Sequence, residues 1–201
     1  MSDGHVVALS GGVGGAKLAL VLSRVLPPER LTIVANTGDD FVHLGLTICP
    51  DLDTVMYTLA DLSNKEAGWG LAGESWNFLD ALGALGGEDW FRLGDRDLAT
   101  HITRSAALAE GRSLSAVTAE LCGRLGVAHP IVPMSDTPVP TVVELKGGGS
   151  LAFQHYFVRD RCEPVVSGFR FEGIEQASPA PAFIDALARD DLDCVVICPS
   201  N

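Results

Sequence analysis

An apolar run at residues 6–9, preceded by His5 and closed by Ser10, has the length of a buried strand. An apolar-rich pattern of helical period follows it through Leu26, and Pro27-Pro28-Glu29-Arg30 then breaks the helix before a second strand at 31–36. Strand, helix and strand in that order open a doubly wound α/β fold, whose ligands sit beyond the carboxyl ends of the strands. Downstream, the pattern predicts helices at about 54–60, at 77–85 (ended by Gly86-Gly87), from near Asp97, and over 112–125 with Ser113 or Ser115 as cap. A short strand at 131–134 precedes two alternating stretches, 141–145 and 150–158, that flank Gly147-Gly148-Gly149 as a hairpin, and 165–171 extends that layer. A helix at 181–189 and a buried strand at 193–198 complete the pattern. The expected architecture is one α/β domain over residues 1–201, a mostly parallel, Rossmann-like sheet with an added antiparallel hairpin region at about 141–172. A buried parallel strand cut as its ligand-facing loop opens also predicts a missing C-terminal part, with at least another helix to cover the sheet.

The junction of the first strand and helix is Ser10-Gly11-Gly12-Val13-Gly14-Gly15-Ala16-Lys17. Free N–H groups and the positive end of the helix dipole converge at such a loop, which favours an anion, most often a phosphate. Gly11, Gly12, Gly14 and Gly15 are the candidate backbone donors, and Lys17, placed in the first turn, is the candidate counter-charge. The spacing is neither that of the usual dinucleotide fingerprint nor that of a P-loop, because leucine follows Lys17. The bland alternative is a glycine-rich turn that lets the helix pack closely on its strand.

The second strand opens into Asn36-Thr37-Gly38-Asp39-Asp40, and a further candidate strand exit carries Cys49-Pro50-Asp51-Leu52-Asp53. Such aspartates serve as turn residues, as helix caps, or as ligands of a hard cation beside a phosphate. Trp69, Trp76 and Trp90 stand in glycine-rich or mixed loops and suit either a core lid or a flat aromatic ligand. Asp97, His101 and Arg104 share one helix face, and an ordinary salt-bridged surface is the simpler reading of that face.

A formal net charge of −12 argues against a general nucleic-acid binder and against a polybasic membrane-surface protein. Any anionic ligand is then held by a local site and not by the overall field. The longest apolar runs are too short to span a bilayer, and Met1-Ser2-Asp3-Gly4 lacks the features of a signal peptide, so a cytoplasmic location is expected. The five cysteines, odd in number and widely spread, read as core thiols and not as a disulfide framework or metal site.

Taken in order, Ser10-Gly-Gly-Val-Gly-Gly-Ala-Lys17, Asn36-Thr-Gly-Asp-Asp40, Cys49-Pro-Asp-Leu-Asp-Thr54, Leu93-Gly-Asp-Arg-Asp-Leu-Ala-Thr-His101, Pro133-Met-Ser-Asp136, Phe153-Gln-His-Tyr156 and Pro199-Ser-Asn201 are jointly specific. The chain resembles the 2-phospho-L-lactate transferase family of coenzyme F(420) biosynthesis from about Val6 to Asn201. The resemblance implies a Mg²⁺-dependent transfer of a phospholactyl-type group (phospholactate, phosphoenolpyruvate or phosphoglycerate) from a guanosine-diphosphate-linked donor to the deazaflavin Fo. GMP is released. It implies Fo contacts at Asp53 and Arg92, continuation of family members past Pro-Ser-Asn, and the possibility of a homodimer. Beside these, the residues offer Asp40 and Asp53 as metal ligands, Asp53 and Asp95 as candidates to accept the ribityl hydroxyl proton, and the glycine loop as the diphosphate cradle.

Two rivals share the opening motif. One is a non-catalytic, nucleotide-sugar-binding regulator of similar fold, against which the Asp53/Arg92 pair and the 93–101 run weigh. The other is a nicotinamide-dependent oxidoreductase, in which Asp39 would hold the ribose, but no separate catalytic constellation accompanies it.

Overall fold

The structure, a computed structural model, describes residues 4–200. Strand β1 (His5–Ser10) runs parallel to β2 (Leu31–Ala35), and helix α1 (Gly12–Val25) links them. β5 (Ile131–Pro133) adds to β2, and β9 (Leu192–Ile197) adds to the other side of β1, giving a parallel sheet in the order β5-β2-β1-β9. Alternation along β1 sends Val6 and Ala8 to one face and Val7 to the other. The first face is thick. Helices α1, α2 (Pro50–Leu59) and α5 (Leu114–Arg124) cover it with Ala16, Ala19, Leu52, Val55, Met56, Val117 and Leu121. The second face carries a smaller cluster, in which Val7, Val34 and Ala186 pack with Phe183 of the short helix α6 (Pro181–Leu187).

Two antiparallel pieces flank this sheet. β3 (Phe41–His43) and β4 (Leu46–Ile48) form a hairpin that turns through Leu44 and Gly45, both at positive φ. β6 (Thr141–Leu145), between β7 (Ser150–Ala152) and β8 (Val166–Phe171), realises the hairpin region expected at about 141–172. Helix α4 (Asp95–Ala109) stands between the β3–β4 hairpin and α5, and α3 (Asn77–Ala84) packs on α4.

Several expectations need correction. Strand 150–158 stops at Ala152, and His155–Arg159 winds into a π-helical turn, a geometry that period-two alternation does not announce. Helix α2 starts at Pro50 and not near Thr54, because proline suits the first helical position, so Asp51 and Asp53 lie in its first turn. These aspartates follow the β3–β4 hairpin and not a strand of the parallel sheet. Helix α4, expected from near Asp97, begins at Asp95. Among the described residues β9 lies at the edge of the sheet, with Val195 43% and Ile197 82% exposed, where a strand covered by a further C-terminal part was expected. The thiols divide accordingly: Cys49, Cys122 and Cys198 are buried, whereas Cys162 and Cys194 are exposed.

The glycine loop has two halves. A Cβ on Gly15 would lie 2.7 Å from Ser10 Oγ, and one on Gly14 would lie 2.9 Å from the Pro199 carbonyl oxygen, so these two residues allow α1 to approach β1 and the end of β9. Gly12 has φ +63° and open space where a side chain would go. Gly15→Ala is therefore expected to cost about 1–3 kcal/mol through overpacking. Gly12→Ala should cost only the left-handed backbone penalty of about 1–2 kcal/mol. Urea denaturation of the two variants checks this division of labour.

Candidate functional site

At the start of α1 the protein supplies an anion of its own. The Gly12 N–H donates to Asp51 Oδ1 at 2.6 Å, and the Asn36 side-chain amide donates to Asp51 Oδ2 at 2.7 Å. Asn36 Oδ1 in turn accepts from Gly38 N at 3.0 Å, which ties the exit of β2 to the same carboxylate. The Gly15 N–H is engaged by Gly11 O within the helix, at 3.2 Å. Of the four glycines offered as phosphate donors, Gly12 thus holds Asp51, while Gly14 and Gly15 serve close packing. Gly11, extended at φ −150°, is the residue preceding the helix. Lys17 is exposed and lies in the second turn, because α1 starts already at Gly12.

Beside Asp51 the carboxylates crowd. Burial, then repulsion from Asp51, pushes Asp39 up to about 6, against a hydrogen bond from Asn36. Burial also holds Asp40 well above the usual carboxylate range, with Asp53 and Asp51 adding to the shift and the Cys49 thiol and Arg104 opposing it. Asp40 Oδ1 is buried without a hydrogen-bond partner, as are the hydroxyls of Ser10 and Thr37 at the two strand exits. Unpaired buried oxygens among like charges are costly, and a hard cation is the group that relieves both costs.

Asp53 lies deeper. Both of its oxygens face Arg104: Nη1 donates to Oδ2 at 3.1 Å and Nη2 pairs with Oδ1. Arg104 is 1% exposed and Asp53 5% exposed. His101 stands between two acids, with Nδ1 3.7 Å from Asp53 Oδ2 and Nε2 3.2 Å from Asp97 Oδ2. The Tyr57 hydroxyl donates to Asp97 Oδ1 at 2.6 Å, so desolvation of Asp97 is outweighed by its partners and its carboxyl stays below the usual range. One face of α4 (Asp97, His101, Arg104) thereby meets one face of α2 (Asp53, Tyr57) in a sealed polar layer, where a solvated salt-bridged face was expected. Asp53, Asp97 and His101 have metal-ligand spacing, with ligand atoms within 4.8 Å of one another. The Arg104 guanidinium already supplies the positive charge there.

Arg92 lies on a different wall. A cavity of about 170 Å³ is lined by Trp69, Trp76, Arg92, Glu74, Asn64 and Asp97, among others, and the Arg92 guanidinium carbon sits 4.2 Å from the Trp76 ring centre. Asp97 joins this cavity to the sealed layer, because it belongs to both. The third tryptophan is elsewhere: Trp90 packs 5.0 Å from His43, 5.6 Å from Phe91 and 4.7 Å from His155 between ring centres.

Asp95 has a structural task. Its carboxylate accepts from Ser75 Oγ, Asn77 Nδ2 and the backbone N–H groups of Asn77 and Phe78, and these bonds, the Phe78 amide first, draw it down to about 2. It caps α3. Glu74, just before α3, reciprocates by accepting from Arg96 N and Asp97 N, both at 2.8 Å, at the start of α4. A carboxylate held by four donors is a poor proton acceptor, which corrects the expectation that Asp95 acts as a base. Sequence reasoning had not singled out Tyr57, Glu74 or the Asn36–Asp51 link. Only the one-turn spacing of Asp53 and Tyr57 hinted at any of them.

The profile of the family described as 2-phospho-L-lactate transferase CofD matches residues 6–201. A phosphoenolpyruvate transferase of Streptomyces avermitilis is 44% identical over 201 residues, a match covering 98% of this chain and 62% of that protein. A 2-phospho-L-lactate transferase of Methanosarcina mazei is 38% identical over 196 residues, covering 98% and 64%. The chain spans about three-fifths of the length of these relatives. Among solved structures, a member of the UPF0052 family from Bacillus halodurans shares the fold with a TM-score of 0.62 at 15% identity, covering 99% of this chain and 59% of that one. Among the described residues no helix is long and apolar enough to cross a membrane.

Because Asp39 titrates near 6 in the fold against an ordinary 3.8, the folded state holds its proton more tightly than the unfolded chain. Stability therefore falls as pH rises from about 4 to about 6 and stays lower above. Asp39→Asn is expected to raise Tm by about 3 °C at pH 7.5 and to leave it unchanged at pH 4. An equal gain at both values would refute the charge argument. For the reciprocal caps, Asp95→Ala should speed amide exchange at Asn77 and Phe78 at least tenfold (~10-fold) while leaving α5 protected.

Proposed function

The chain belongs to the CofD family of 2-phospho-L-lactate transferases, and from that premise we propose that it moves a phospholactyl-type group from a guanosine-diphosphate-linked donor to Fo. The transferred acid is phospholactate, phosphoenolpyruvate or phosphoglycerate, and GMP leaves. The observation that supports this reading is the adjacency of two unlike sites. An aromatic cavity with a cation on its wall shares Asp97 with the buried layer of His101, Arg104 and Asp53, and Asp53 in turn acts on Asp40. The cavity suits a flat tricyclic ring, which Trp69 and Trp76 would face while Arg92 meets its polar edge. Asp53, reached past Asp97, would take a hydroxyl of the ribityl chain.

In the reaction the terminal ribityl oxygen attacks the phosphorus that bears the acid. The bond from that phosphorus to the oxygen of GMP breaks, the electron pair leaves with GMP, and the hydroxyl proton passes to a carboxylate or to water. Such a transfer needs positioning and neutralisation more than covalent chemistry. Mg²⁺, when bound, would neutralise diphosphate oxygens. The residues fit it at Asp40, whose buried oxygen lacks a partner, with Asp53 as the neighbouring carboxylate. Asp53 contributes less charge than the sequence alone suggests, since Arg104 already balances it. The remaining residues orient: the Gly12 amide and Asn36 hold Asp51 against the helix start, and Glu74 fixes the first turn of α4 that carries Asp97.

Fluorescence titration of Fo, with and without Mg²⁺ and GDP, tests this. Saturable binding is expected, weakened about tenfold or more in both Asp53→Ala and Arg92→Ala, with each loss near 1.4 kcal/mol. Absence of Fo binding together with tight binding of a nucleotide sugar would overturn the reading in favour of a regulatory relative.

A further inference from the structure

We propose that Arg104 and His101 are positioning residues that fix the carboxylate of Asp53 for the acceptor hydroxyl. The role rests on Asp53 facing Fo as argued above. Arg104 is the largest fully buried side chain among the described residues, and its two terminal nitrogens meet the two oxygens of Asp53. A planar fork of this kind fixes both the plane and the rotation of a carboxylate, which a lysine ammonium does not. The contact is not optimised for stability alone: Nε of Arg104 is buried without a partner, and Nη1 reaches the Thr47 carbonyl only at 3.5 Å. Apolar side chains would join α2 to α4 with less desolvation. The layer therefore yields a set orientation of one carboxylate.

His101 extends the clamp toward the cavity. Its Nδ1 is 3.4 Å from Arg104 Nη1 and 3.7 Å from Asp53 Oδ2, while its Nε2 lies 3.2 Å from Asp97, whose other oxygen is held by Tyr57. Asp97 lines the aromatic cavity. Ring site and carboxylate are thus held at a fixed separation by one helix face, with Asp97, His101 and Arg104 in successive turns of α4.

The test uses two probes, Fo and a deazaflavin ring lacking the ribityl chain, titrated by fluorescence. Arg104→Lys and His101→Gln should each weaken Fo about five- to tenfold and the ring-only probe less than about twofold, the size expected when a polar contact is misplaced. In an Asp53→Ala background, Arg104→Lys should change Fo binding by less than about twofold, because its action passes through Asp53. A merely structural role predicts equal losses for both probes and losses that persist without Asp53, and either result overturns the proposal. His101→Gln leaves the Arg104–Asp53 pair in place and serves if Arg104→Lys does not fold, which circular dichroism reports. A folded wild-type protein of its relatives' full length that binds neither probe overturns the function itself, whereas a wild type that binds Fo while both variants match it overturns only the positioning role.

Discussion

The ionic contact between Arg104 and Asp53 sets the terms for everything around it. Among the described residues Arg104 is the only fully buried lysine or arginine, and it lies beneath strand exits that gather Asp39, Asp40, Asp51 and Asp53. One guanidinium cannot balance that many acids. The remainder is met by hydrogen bonds at Asp51, while burial and neighbouring acids raise the carboxyls of Asp39 and Asp40 above their usual range. This graded settlement, from fully paired to unpaired, distinguishes carboxylates that the sequence presents as equivalent.

The second organising relation is geometric. α3 and α4 are tied head to head, with Asp95 serving the amides of one and Glu74 those of the other. Trp76 and Arg92 lie just outside the two helix starts, so the cavity wall inherits its rigidity from the exchange of caps. The neighbouring aromatic stack of Phe41, His43, Trp90, Phe91 and His155 connects the β3–β4 hairpin and the residue 90–91 loop to the π-helical turn after β7.

Local periodicity was enough to read the βαβ opening, the antiparallel region and most helices, because each depends on residues within a few turns of one another. What it missed depends on distance along the chain. Asp51 finds Gly12 across 39 residues and Arg104 finds Asp53 across 51, and no local pattern says which acid will meet which donor. Asp95 shows the reverse error. A carboxylate in a loop rich in aromatics and arginines suggests chemistry, yet the four donors that claim it come from residues 75–78. The apolar run of β9 has the composition of a central strand, but its place at the sheet edge is a matter of topology. Arg92 and Asp53, paired by the family resemblance, lie on separate walls linked through Asp97 and His101.

The carboxylate at the head of α1 sets that glycine loop apart from an open helix start. A helix start with all its amides free traps any passing anion, inorganic phosphate included. Here the first amide already has a tenant, and a lone dianion arriving at Gly12 meets a like charge 2.6 Å from the nitrogen it seeks. The head of α1 is in effect a berth already taken by the protein's own acid, with Asn36 keeping the occupant in place from the other side.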